Sequence, residues 1–338
     1  MRRLLALLPA LVVLHGACGA SDDRAPFAPS ASAGPDAGPL GDGSPAPSGS
    51  EAGASCTGME GGMECAKLKL AFTRFYLGDT DRGGKPLSYA WEYFGEDYDG
   101  LHSSYSLNGE CKPVEGEPPY AALDGINGHD NEFGRRVLPL LEPWDPTPSK
   151  ASDEALKAGV RRPIIILGQL GGGLTGAKLR AFFTYLLDGQ TEPELARYEA
   201  ATFENGTFDS GPSTAPLTLE LPLGTQVMRV VVFRLRVRFD LSPDGKAIGG
   251  QLSGAIKVPD LQAAVRDHVG RTAPAECGGA KLEDLKKTLA KLPDVLAAGG
   301  QDGAATCDAV SFGVGFEAEP VVVTGPRSYP AALTPGCP

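Results

Sequence analysis

The strongest constraint on the fold is a long segment, residues 228–242, in which apolar and polar side chains alternate. Alternation with a period of two is typical of a half-buried β-strand, and the stretch FRLRVRFD places three arginines on one face. Further segments with the composition and patterning of strands are 67–78, 161–170, 217–223, 250–258 and 309–323. Together, these segments predict a mainly β protein.

Two segments near the C-terminus, 258–269 and 281–298, instead carry apolar residues at helical spacing. Since strands precede and follow them, the sequence predicts an antiparallel β-sandwich with a two-helix insertion near the C-terminus. Residues 79–158 are rich in Gly, Pro, Asp and Tyr and show little periodicity. So long an irregular stretch within one domain is expected to be functional, or to be packed by its own aromatic side chains.

The N-terminal residues predict export. Residues 1–17 have a basic start, an apolar run and a small-residue end, Gly16 and Ala17, as signal peptides do. The apolar run is too short to span about 30 Å of hydrocarbon as a helix. The cysteine that follows, Cys18, resembles the lipid-attachment residue of a bacterial lipobox, although His15 stands where leucine is usual. The alternative is an ordinary secreted protein.

Residues 18–55 are expected to form a disordered, lipid-anchored linker, and residues 56–338 a single folded domain. The linker is mostly Ala, Gly, Pro, Ser and Asp, with Phe27 as its only large apolar residue. The whole chain has a net charge of −11, and no stretch concentrates Lys and Arg. Nucleic acid is therefore not expected as a partner, and an anionic membrane surface would repel the folded body.

Cysteine usage agrees with an oxidising compartment. Setting Cys18 aside, an even number of cysteines remains, which in an exported protein indicates three disulfides. A zinc site would require closely spaced pairs, and the sequence has none. We predict a Cys277–Cys307 bond because these two residues bracket one helical segment, and we leave the other pairings open. The candidates are Cys56, Cys65, Cys111, Cys277, Cys307 and Cys337.

Short stretches rich in oxygen ligands suggest a calcium site. DGINGHDNEFG (124–134), GDTDRGG (78–84) and EDYDG (96–100) combine carboxylate or amide side chains with the glycines that sharp turns need. None has the spacing of an EF-hand. Asp and Asn before Gly also cap their own turns, so plain turn chemistry is the alternative. The predicted ligands are Asp79, Asp81, Asp99, Asp124, Asn127, Asp130 and Asn131.

Catalytic motifs are weak, and we assign no catalytic residue. GGGLTG (171–176) has the spacing of a dinucleotide fingerprint, but the strand and acidic residue that should follow are missing, so we interpret it as a turn. No serine lies in a G-x-S-x-G elbow. The mature chain has only three histidines: His102 and His129 in the irregular region, and His268 near a predicted helix end, where a cation favours the helix dipole.

Paired carboxylates are the remaining catalytic possibility. Glu92, Glu96, Asp97 and Asp99 lie among Trp91, Tyr93, Phe94 and Tyr98. Acids beside aromatics are typical of a sugar site and also of a packed, turn-rich loop. A carbohydrate-active hydrolase that uses carboxylates in residues 79–134 is therefore the alternative to a non-enzymatic protein.

Several blocks, among them YLGDTDRGG, AWEYFGEDYDG, DGINGHDNEFGRRVLPLL and CDAVSFGVGFEA, resemble a family of uncharacterised lipoproteins from myxobacteria, which are deltaproteobacteria. The likeness covers nearly all of residues 67–325. Glu132 stands where the family block has serine, and Asp97 also departs from the family pattern, whereas Asp99 matches it. The resemblance implies envelope localisation and one continuous domain, and it supplies no reaction.

The sequence as a whole predicts a cell-envelope lipoprotein, exported and membrane-anchored, that acts as a binding or structural module with calcium as its candidate cofactor. Its extracytoplasmic ligand or protein partner, and the membrane that holds the anchor, stay open.

Overall fold

A computed structural model describes residues 68–102, 111–116, 124–158, 161–168, 179–223, 226–300, 302–326 and 336–337. The predicted signal peptide, the linker, GGGLTG, and the cysteines Cys18, Cys56 and Cys65 lie outside these residues. The described part of the chain is mainly β, as predicted. No helix in the described ranges is long and apolar enough to cross a membrane.

Eleven strands lie in the described residues. They are β1 (Leu68–Tyr76), β2 (Arg162–Gly168), β3 (Leu179–Leu187), β4 (Gln190–Thr191), β5 (Ala196–Glu204), β6 (Thr207–Asp209), β7 (Leu217–Leu223), β8 (Gln226–Leu241), β9 (Ala247–Lys257), β10 (Ala309–Pro320) and β11 (Gly325–Pro326). They pair in the order β11-β4-β3-β2-β1-β10-β9-β8-β6-β5, β3 also pairs with β5, and β7 pairs with β8. All pairs are antiparallel except β11 with β4.

The predicted division into the two packed sheets of a sandwich is not confirmed. The reason lies in β8, which is 16 residues long. Its first half pairs with β7, and its second half pairs with β6 and β9. One strand therefore joins elements that a sandwich would assign to separate sheets.

The core lies against the middle of the sheet, where β1 and β10 pair. Phe72 of β1 stacks on Phe316 of β10 with ring centroids 4.0 Å apart, and Phe239 of β8 meets Phe316 edge-on at 6.1 Å. These three side chains are at most 1% exposed. Aromatic side chains of this size supply much of the apolar area that a core buries.

Within the same part of the chain, four α-helices accompany the strands: α1 (Leu138–Leu141), α2 (Pro148–Lys157), α3 (Val258–Thr272) and α4 (Ala280–Leu289). The predicted two-helix insertion is confirmed as α3 and α4, which lie between β9 and β10. The second helix ends at Leu289 rather than at residue 298, because Pro293 cannot continue it and disfavours helix in the residue before it. Helices α1 and α2 lie in the stretch predicted as irregular.

The predicted Cys277–Cys307 disulfide is wrong. Cys307 bonds to Cys111, and Cys277 bonds to Cys337, with Cα atoms 5.1 and 5.5 Å apart. The backbone explains both pairs. The chain before Cys307 runs parallel to Lys112 and exchanges hydrogen bonds with it. The C-terminus packs on α3, where the amide of Gly336 donates to a carboxylate oxygen of the helix at 2.5 Å.

Candidate functional site

Two loops meet at an isolated antiparallel bridge between Glu96 and Asp130. The amide of Asp130 donates to the carbonyl of Glu96 over 3.0 Å, which fixes the register of the loops. In this register Asp97, Asp99 and Asp130 each present one carboxylate oxygen, and these three oxygens lie within 4.8 Å of one another. We call these three residues the carboxylate cluster.

Backbone amides hold each side chain of the carboxylate cluster. Oδ2 of Asp130 accepts hydrogen bonds from the amides of Tyr98 at 2.7 Å and Asp99 at 3.3 Å. Asp97 and Asp99 each accept from an amide two or three residues further along, at 2.6 and 2.8 Å. The turn-capping and metal-binding interpretations therefore apply to the same side chains. They are compatible, because one oxygen of a carboxylate can accept from a backbone amide while the other binds a metal ion.

Burial and mutual repulsion raise the energy of the negative charge at the cluster. Asp130 is only 4% exposed. Its burial, followed by repulsion from Asp99, Asp124 and Asp294, raises its pKa well above the usual value. A cation bound at the cluster would offset this repulsion.

Two further buried carboxylates lie behind the cluster. Burial, and then repulsion from Glu132, raises the pKa of Asp294 well above its usual value. Burial likewise raises the pKa of Glu132 to about 7, against the opposing effect of Arg135 and Arg136. Ser311 joins the two acids, because its hydroxyl donates to Asp294 at 2.5 Å and accepts from the amide of Glu132 at 2.8 Å.

The structure brings together only some of the predicted calcium ligands. Asp99 and Asp130 belong to the cluster, and Asp124 lies close enough to raise the pKa of Asp130. Asp97 was missing from the predicted ligands. The D-x-D-G spacing that it forms with Asp99 was the signal that could have included it.

The other four predicted ligands lie outside the cluster and have structural roles. Asp79 accepts from the amide and hydroxyl of Ser149 at the start of α2. Asp81 accepts from two amides in its own turn, both at 2.9 Å. Asn127 is exposed and adopts a left-handed φ of 60°, which asparagine tolerates in turns. Asp81 thus caps its own turn, as the turn-chemistry alternative describes, whereas Asp79 bonds a residue of α2.

Asn131 is committed to packing by three hydrogen bonds. Its Oδ1 accepts from the amides of Gly134 at 2.9 Å and Gly313 at 3.1 Å, and its Nδ2 donates to the carbonyl of Trp91 at 3.2 Å. The side chain is 1% exposed. It therefore ties three segments together.

Strand β8 supplies positive charge beside the cluster. Arg236 forms an ion pair with Glu96 at 2.8 Å, and Arg238 lies 4.0 Å from the same carboxylate. Arg234 lies at a bulge of β8 with a φ of 53° and places its guanidinium 5.6 Å from the centre of the Tyr98 ring. The three arginines predicted on one face thus all face the chain around Glu96.

The aromatics that suggested a sugar site are mostly part of the core. Trp91 and Phe94 are buried, and the ring of Phe94 stacks on that of Tyr76 at 5.7 Å. The hydroxyl of Tyr98 donates to a backbone carbonyl at 3.0 Å. Tyr93 is 38% exposed. This stretch is therefore packed by its own aromatics, one of the two outcomes that its length predicted.

The histidines of the irregular region approach each other beside the cluster. Burial lowers the pKa of His129, and the nearby His102 lowers it further while Asp97 opposes this. The ring of His102 also lies against Gly128, where an added Cβ would be 2.7 Å from the ring. His268 is fully buried, and its Nε2 lies 2.5 Å from Oδ2 of Asp145.

A separate cleft of about 390 Å³ opens between the chain after β1 and the chain around α1. Asp79, Ser88, Arg135, Glu142 and Asp145 supply its polar lining, and prolines, leucines and two glycines form the rest. The sequence signal for this cleft was limited to Asp79, because its other acids lie in a stretch with no recognisable motif. The cleft is the second feature that could bind a ligand.

Comparison of the chain with protein-family models, with curated proteins and with solved structures finds no match.

Proposed function

We propose that this protein is an exported, lipid-anchored protein of the cell envelope whose folded body is a non-enzymatic binding or structural module stabilised by calcium. Cys18 would carry the lipid, and residues 18–55 would hold the body away from the membrane. The signal-like start of the sequence supports export. The two disulfides support an oxidising compartment, where such bonds persist.

The calcium proposal is carried by one observation, the approach of three carboxylate oxygens to within 4.8 Å around the buried Asp130. Calcium prefers oxygen ligands and takes about six to eight of them, so backbone carbonyls and water would complete the shell. Asp124 adds a fourth negative charge nearby. A divalent cation would stabilise the native state, because the folded loops concentrate charge that the unfolded chain separates.

Binding is favoured over hydrolysis by where the acids lie. A glycosidase needs two carboxyl groups about 5–9 Å apart across one cleft, one of them with a raised pKa. In the larger cleft Asp79 caps a helix and Asp145 is bonded to His268. The strongly raised pKa values instead belong to Asp130, Glu132 and Asp294, which lie at or behind the cluster.

The alternative, a carbohydrate-active hydrolase, would use Glu96 and Asp97. Burial raises the pKa of Glu96, as a general acid requires. The cleft that these two residues line has a volume of about 130 Å³, whereas small-molecule sites occupy about 300–1,000 Å³. Release of reducing sugar from a polysaccharide panel, lost in Glu96→Gln, would replace the binding proposal with this one.

Calcium titration calorimetry on the protein with Cys18→Ser, which removes the lipid-attachment site, tests the cation proposal. We expect one site in the wild-type body and a loss of binding in Asp99→Asn. Asp81→Asn is the matched control, since Asp81 lies in a turn outside the cluster and its substitution should leave calcium binding unchanged. An absence of binding heat together with an unchanged melting temperature in millimolar calcium would refute the proposal.

A further inference from the structure

The walls of the 390 Å³ cleft offer few hydrogen-bond donors. Pro86, Pro139, Pro146 and Pro148 line it, and proline has no backbone N–H. Leu87 and Leu138 extend the apolar wall, so a ligand would find apolar surface combined with carboxylate acceptors. An anionic ligand would meet only Arg135, which is already bound to Glu132, and the hydroxyl of Ser88 as side-chain donors, whereas a ligand that donates hydrogen bonds would meet the carboxylates.

Asp145 is the buried acid of the cleft. Its side chain is 8% exposed, and its Oδ2 lies 2.5 Å from Nε2 of His268. Nδ1 of His268 is buried with no hydrogen-bond partner among the described residues. Nε2 is therefore the ring nitrogen that anchors His268 to the acid. His268 orients the carboxylate of Asp145 through Oδ2, one of its two oxygens.

The other charged groups of the cleft are mostly acidic. Glu142 is exposed and adds a second carboxylate at the edge, and Asp79, bonded to Ser149, adds a third. Arg135 is the one cationic side chain in the lining, and it lies 3.2 Å from the buried carboxylate of Glu132. The described lining thus has three acids against one base, and the base is already paired.

We propose that this cleft binds a primary ammonium group carried on a short apolar stem. An ammonium has three donors and no acceptor, which complements Asp145 and Glu142. A stem of a few methylenes would pack on the prolines and leucines, as lysine stems do on apolar surfaces. The inference deepens the proposed binding function and rests on it, and it does not depend on calcium.

A ligand-observed NMR titration with the Cys18→Ser protein tests this inference. The probes are n-pentylamine and its uncharged counterpart n-pentanol, and N-acetyl-lysine methylamide distinguishes a free amine from a lysine side chain of a polypeptide. We expect both ammonium probes to bind. If the cleft accepts only a free amine or only a lysine side chain, one of the two should bind. Pentanol should bind at least about tenfold more weakly, the value of a charge-assisted hydrogen bond.

Two variants locate the binding. Asp145→Asn keeps the shape and an acceptor for His268, and it should weaken pentylamine binding by about 10- to 150-fold. Glu142→Gln is exposed, cannot disturb folding through the core, and should weaken binding by up to about fivefold because water screens it. Glu154→Gln, on the exposed side of α2 and paired with Lys150 at 3.8 Å, is the control and should bind normally.

Three outcomes would overturn the inference: no binding of either ammonium probe, equal binding of pentanol, or unchanged binding in both cleft variants. Each titration is repeated in chelator and in calcium. If the amine fails to bind while calcium still raises the melting temperature, only this inference fails. If the amine binds and calcium has no effect, only the cation proposal fails.

Discussion

Asp130→Asn should raise the melting temperature relative to the wild type in chelator and lower it relative to the wild type in calcium. In chelator, the variant should melt above the wild type, because it removes a buried charge that Asp99 and Asp124 repel. The amide oxygen of Asn can still accept from the amides that Asp130 now binds. The capping of the loop is therefore retained while the charge is lost.

In calcium the order should invert. A ligand at about 100 times its dissociation constant stabilises the native state by about 2.7 kcal/mol. For a domain of roughly this size, each kcal/mol shifts the melting temperature by about 2–4 °C. The wild type should therefore gain about 5–10 °C in calcium, and Asp130→Asn should gain almost nothing.

Differential scanning calorimetry near pH 7, in millimolar calcium and in chelator, measures both values. Asp81→Asn is the matched control, because Asp81 also accepts from backbone amides yet lies outside the cluster. It should show the full calcium shift. The reasoning is refuted if Asp130→Asn gains as much as the wild type in calcium, or if it melts lower in both conditions.

Three more predictions concern stability alone. Burial raises the pKa of Glu132 in the folded protein to about 7, from an ordinary 4.5. Its contribution to the free energy of unfolding is therefore present at pH 4.5 and is lost as the pH rises to 7. In urea unfolding, Glu132→Gln should lose less stability over this pH range than the wild type. Replacing Cys111 and Cys307 by Ser should cost about 2–5 kcal/mol in urea unfolding, and more than removing the other disulfide, because their sequence separation is 196 against 60. Asn131→Ala should lower the free energy of unfolding by about 2–4 kcal/mol, because it leaves two buried amides without an acceptor. An unchanged unfolding midpoint in urea would contradict this role of Asn131.

Local patterning predicts the parts of the fold whose faces differ in polarity. The alternation in residues 228–242 identified β8, and helical spacing identified α3 and the start of α4. Patterning did not distinguish strand from helix in LRAFFTYLL, which forms β3. It also missed α2, where Pro148 and a run of small and charged residues hide a short helix.

At the site, the sequence predicted which residue types are present but not which of them lie close together. Asp99 and Asp130 carried the right chemistry in the sequence, and only the bridge at Glu96 brings them together from positions about thirty residues apart. Asn127 and Asn131 had the same composition signal and became turn and packing residues. The pairing register between distant segments determines which oxygens lie close together. Hydrophobic periodicity and local propensity contain no information about that register.

The position of β1 has a mechanical consequence. This strand is the first described element after the N-terminal segment, and it is hydrogen-bonded on both edges, to β2 and to β10. With the lipid anchor proposed above, a pull on the N-terminus directed along β1 would load both rows of its hydrogen bonds together, in shear. Bonds loaded together must break together, whereas a strand at the edge of a sheet can peel away one bond at a time. A domain anchored in this proposed way should therefore resist such tension better than a domain tethered through an edge strand.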